Sequence, residues 1–68
     1  MDINKIIYMA NQIAKNLSFN SESEAIDATQ VHIENFWDPK MRSLLKDHVV
    51  SGGKGLSNIA LEASKKLN

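Results

Sequence analysis

Few side chains in this sequence of 68 residues could do chemistry, and each has to be weighed against a plainer role. His32 and His48 are the groups whose unperturbed titration falls near neutral pH, which suits them to proton transfer or metal ligation. Each projects onto an apolar helical stripe, however, and two histidines without cysteine make a poor metal site. A core or interface histidine with a satisfied hydrogen bond is the expectation for both. Gly52-Gly53-Lys54-Gly55-Leu56-Ser57 has the composition of a phosphate-binding loop. A P-loop needs Ser or Thr directly after its lysine and a strand before its first glycine, whereas here Gly55 follows Lys54 and a helical pattern precedes, so a helix cap and tight turn is expected. Glu22, Glu24, Asp27 and Glu34 read as a solvated face rather than an acid/base pair. No catalytic, cofactor or metal-binding residue is expected.

The most distinctive run is His32-Ile33-Glu34-Asn35-Phe36-Trp37-Asp38-Pro39-Lys40-Met41-Arg42, which holds the only tryptophan and the only proline. Asp38 is a good N-cap and Pro39 suits the first helical turn, so one helix ends in two aromatics and another starts at once. Such a rigid corner either locks its own helices together or anchors a partner. Projected at 100° per residue, Phe36 sits at the centre of its helix stripe and Trp37 about 80–100° to one side. Phe36 is therefore expected in the core and Trp37 at the rim, with a tryptophan folded over its own corner as the alternative.

The elements that position these residues follow from periodicity. Ile3, Ile6, Ile7, Ala10, Ile13, Ala14 and Leu17 form one stripe, predicting a helix over about residues 3–17. Tyr8 falls opposite, beside Asn4, Asn11, Gln12 and Lys15, and reads equally as a solvated tyrosine or a partner contact. Ser18-Phe19-Asn20-Ser21 breaks the pattern, and Ser21 with Glu24 has the spacing of a capping box. The second stripe is Ala25, Ile26, Thr29, His32, Ile33 and Phe36, with Val31 pointing away. A third helix runs from Asp38-Pro39 to near Ser51 with Met41, Leu44, Leu45, His48 and Val49 on one face. Ser57 caps a fourth, with Leu56, Ala60, Ala63 and Leu67. No segment has the two-residue period of a strand, so the fold expected is all-α, a small bundle of about four short helices in a single domain over residues 1–68.

Composition narrows the function. A chain this short buries a thin core, with net stability of at most about 3–5 kcal/mol unless stapled. It has no cysteine, which excludes disulfides and suits a reducing cytosol. Its start lacks a basic n-region, and nothing approaches the roughly 20 apolar residues of a membrane span; a cytoplasmic protein without a membrane partner is expected. Formal net charge is zero, which argues against a nucleic-acid partner. The halves differ: residues 1–37 hold two basic against five acidic side chains, residues 38–68 six against three. Such a split steers two helix pairs together or aims a basic face at an acidic partner.

Met9-Ala10-Asn11-Gln12-Ile13-Ala14, then His32-Ile33 with Phe36-Trp37-Asp38-Pro39-Lys40-Met41-Arg42, then Gly52-Gly53-Lys54-Gly55-Leu56, give the chain a resemblance along nearly its whole length. It resembles the delta subunit of NAD-dependent, molybdenum-containing formate dehydrogenase. It departs from that pattern at Asn58, where proline often opens the last helix, and in the link from Ser18 to Glu24. The resemblance implies an accessory subunit with no catalytic residues of its own, in an enzyme that oxidises formate and passes electrons to NAD. It places the molybdenum pterin, iron–sulfur clusters and flavin in the larger subunits, and none in this chain. The partners implied are those larger subunits, the molybdenum-containing catalytic subunit first among them. The docking surface expected is the corner of Trp37, Asp38, Pro39 and Arg42, with Tyr8, Asn11 and Gln12 as a second patch. A transient maturation factor for the molybdenum subunit and a small helix-turn-helix DNA-binding protein are the alternatives.

Overall fold

Every helix of the chain begins on a side chain able to accept a backbone proton. In the computed structural model, which describes residues 2–18 and 21–67, these are α1 (Ile3–Asn16), α2 (Glu22–Phe36), α3 (Pro39–Val50) and α4 (Asn58–Lys65). Their N-caps are Asp2, Ser21, Asp38 and Ser57, all with extended backbone, accepting from the amides of Asn4, Glu24, Met41 and Ala60. Each cap satisfies one of the four amides a helix start leaves without a partner. The break expected at Ser18-Phe19-Asn20-Ser21 includes Phe19 and Asn20, which lie outside the described residues. Among the described residues there is no strand, and no helix is long and apolar enough to cross a membrane.

The third helix ends in a Schellman motif. Gly53 N–H donates to the His48 carbonyl at 2.9 Å and Gly52 N–H to that of Val49 at 3.0 Å. That geometry needs a left-handed residue after the cap, and Gly52 has φ 118°. Gly53 is constrained further: a Cβ there would fall 2.6 Å from Leu61 Cδ1, so the loop lies directly against α4.

Packing is uneven. Both α1 and α4 touch all three other helices, and α2 packs most extensively on α4, whereas α2 and α3, consecutive in the chain, barely meet. The corner therefore opens outward, and the first and fourth helices fill the angle. Close approach is possible because the facing residues are small: Ala10 and Ala14 on α1, Ala25 and Thr29 on α2, and Ala60, Ala63 and Ser64 on α4 are all buried. The largest fully buried side chains are Ile6, Ile33, Leu45 and Thr29.

The wheel projection of the two corner aromatics is corrected here. Trp37 is buried at 6 % exposure and belongs to the core cluster with Ile6, Ala10, Ile33, Leu45 and Ala60, while Phe36 is 74 % exposed. Trp37 is the C-cap of α2 with ψ 141°, so the chain has already left the helix and the 100° step no longer places its side chain. Phe36 keeps the helical angle but lies beyond the last buried turn of α2, which ends at Ile33.

Thr29 is fully buried, and among the described residues its hydroxyl has no hydrogen-bond partner. An unpaired buried hydroxyl costs about 1–3 kcal/mol. Thr29→Val keeps the branched shape and removes that hydroxyl. It is expected to raise the urea midpoint by the equivalent of about 1 kcal/mol.

Candidate functional site

The corner shows what its polar side chains are for. Asp38 Oδ1 accepts from Met41 N–H at 2.8 Å, capping α3. Its extended backbone, with ψ 165°, is the one that a following proline favours. Arg42, one turn into α3, donates from Nη1 to the Glu34 carbonyl at 2.9 Å. That carbonyl is among the last four of α2, which have no partner within their own helix, and a cation there also matches the helix dipole. Of the four corner residues, Trp37 is core, Asp38 caps α3, Arg42 ties α3 to the end of α2, and Pro39 is exposed. The corner locks its own helices.

A second set of polar contacts holds the turn between α3 and α4. His48 Nε2 lies 2.7 Å from the Lys54 carbonyl. A carbonyl only accepts, so Nε2 carries the proton in this contact. From α1, Asn11 Nδ2 donates to the Gly55 carbonyl at 2.9 Å, and its Oδ1 accepts from Ser57 N–H at 2.8 Å. Asn11 thus clamps both ends of the three-residue stretch leading into α4, with Ile7, one turn earlier, packed 3.4 Å from where a Gly55 Cβ would sit. Sequence reasoning placed Asn11 on the solvated side beside Tyr8. The available signal was its helical spacing from Ile7, which puts both on the flank of the apolar stripe.

The same contacts answer the phosphate-loop question. A phosphate cradle presents free backbone amides to its ligand. Here the amides of Gly52, Gly53, Leu56 and Ser57 donate to Val49, His48, Gly53 and Asn11 respectively. The loop is a cap and turn. His32 is half-buried with its ring centroid 4.8 Å from that of Phe36, the planes inclined at 39°. Among the described residues no three His, Asp or Glu side chains are grouped to hold a metal ion.

Of the second expected patch, Tyr8 is 64 % exposed and accepts a hydrogen bond from Gln12 Nε2 at 2.9 Å. Val31 and Phe36 on α2 and Val50 on α3 also project into solvent. Among the described residues the charge split between the halves is used internally at one point, where Lys66 Nζ lies 2.7 Å from Asp27 Oδ1 and joins the end of α4 to α2. Gln30 adds a bond from α2 to the Lys66 carbonyl at 3.1 Å.

These features define a small all-helical domain whose polar side chains chiefly terminate one another's helices, with apolar side chains left outside on α2. The sequence profile of the NADH-dependent formate dehydrogenase delta subunit FdsD matches residues 5–64. The chain belongs to that family. Comparison with curated proteins and with solved structures finds no match.

Two substitutions at adjacent positions separate core from surface. Trp37→Ala is expected to cost about 3–5 kcal/mol, enough to leave the chain largely unfolded at 37 °C. Phe36→Ala is expected to stay within about 0.5 kcal/mol of the parent. Thermal melts followed by far-UV circular dichroism compare them directly. Asn11→Ala, which removes two long-range hydrogen bonds, is expected to lower stability by about 1–3 kcal/mol in urea titration.

Proposed function

We propose that the chain is an accessory subunit of a cytoplasmic NAD-dependent formate dehydrogenase, docking on the larger subunits and stabilising their assembly. Its first partner is the molybdenum-containing catalytic subunit. The observation that carries this reading is the family match over residues 5–64, which takes in the corner, the glycine turn and most of all four helices. The chemistry of the chain is consistent with it. Both His48 and the glycine turn are engaged in holding the fold, and the absence of cysteine removes thiolate ligation of an iron–sulfur cluster. On this reading the molybdenum pterin, iron–sulfur clusters and flavin are held by the larger subunits. A helix-turn-helix role is disfavoured because such a motif packs its two helices against each other across the turn, whereas α2 and α3 barely meet.

Affinity purification of the tagged chain from cells co-expressing the larger subunits tests the proposal. A permanent subunit is recovered in fixed stoichiometry with enzyme that oxidises formate. A maturation factor is recovered only with molybdenum subunit lacking its cofactor, and that result would replace the proposal.

A further inference from the structure

Asp38, Arg42, His48 and Asn11 are engaged within the chain, and among the described residues an apolar surface is left outside. It lies along the outer side of α2, where Leu17, Ala28, Val31, His32 and Phe36 line a shallow apolar groove with Asp27 at its edge. Val31 is 52 % exposed and Phe36 74 %. Phe36 is held there by three independent features. It is the last residue of a helix, its ring packs against His32, and the next residue is buried in the core. An aromatic fixed in this way loses little freedom on binding.

The charge around the groove specifies what covers it. Helix α2 carries Glu22, Glu24, Asp27 and Glu34 and neither lysine nor arginine. The cation paired with these acids in the structure is Lys66, on Asp27, and that pair is itself half-exposed. The basic side chains of α3, Lys40 and Lys46, are exposed on the helix that α2 barely touches. An apolar strip edged by Asp27, on a helix whose charged side chains are all acidic, selects an apolar strip with basic flanks.

We propose that the outer face of α2, centred on Phe36 and Val31, is the surface that seats on the larger subunit, and that it receives an apolar segment flanked by Lys or Arg. This rests on the accessory-subunit reading and names the face and the chemistry of its partner. Phe36 takes the anchoring role that the sequence suggested for Trp37.

The experiment uses the co-expressed complex. A photo-crosslinking p-benzoylphenylalanine is placed at position 36, and in a separate chain at position 50, where Val50 is 88 % exposed on α3. Irradiation is expected to join position 36, and not position 50, to a larger subunit, through a peptide that mass spectrometry shows to be apolar with basic flanks. The double variant Val31→Asp with Phe36→Asp is expected to keep the helical spectrum and melting temperature of the parent while its recovery with the larger subunits falls at least tenfold. Crosslinking of position 36 to a second copy of this chain, to an acidic or uncharged peptide, or to nothing overturns the proposal, as does undiminished recovery of the double variant. Failure of the parent chain itself to co-purify would instead overturn the accessory-subunit reading.

Discussion

Among the described residues, half of the buried hydrophobic side chains are alanines, and an alanine removes little apolar surface from water. The burial of Trp37 is what the remainder of the structure leans on. It is the largest side chain in the core and sits at the vertex from which α2 and α3 diverge. Small residues let α1, α2 and α4 approach closely; where α2 and α3 diverge the indole joins the core cluster of Ile6, Ile33 and Leu45. Aromatic burial at one point thus compensates for small side chains elsewhere.

A thin core places more weight on how the helices end. The side-chain-to-backbone bonds that link separate elements share a pattern: Arg42 takes the Glu34 carbonyl, Gln30 the Lys66 carbonyl, His48 the Lys54 carbonyl, and Asn11 the Gly55 carbonyl and the Ser57 amide. All five backbone groups lie at a helix end or in the turn that joins two helices. Groups that would otherwise need water become the attachment points between elements. His48, weighed in the sequence for proton transfer or metal ligation, is one of these attachment points, and so is Arg42, weighed as a partner contact.

Much of this was legible in the sequence because it is local. Ser21, Asp38 and Ser57 act within three residues of themselves, and the glycine turn advertises its left-handed geometry by composition. The family, too, was written in the corner and turn motifs. Two features were not legible. The order of Phe36 and Trp37 between surface and core depends on where α2 ceases to be a helix, and one residue decides it. The clamp made by Asn11 depends on partners 44 and 46 residues away, a separation no periodicity encodes. The candidate surface shared both difficulties, since three of its expected members, Trp37, Arg42 and Asn11, are occupied by contacts that exist only in the folded chain.

The weak meeting of α2 with α3, set against the extensive contacts of both α1 and α4, bears on how the chain reaches this state. The native pairs of lowest sequence separation across the corner contribute little, and the bundle closes only when α4 comes back to α1 and α2. Such closure carries a loop entropy that neighbouring hairpins avoid. During synthesis α1 can already pack on α2 and α3, but the faces of all three that α4 covers stay open until it has been made. The bundle is therefore completed only once α4 has been made, and until then the nascent chain presents to chaperones, or to a waiting subunit, a brief open form of the same helices.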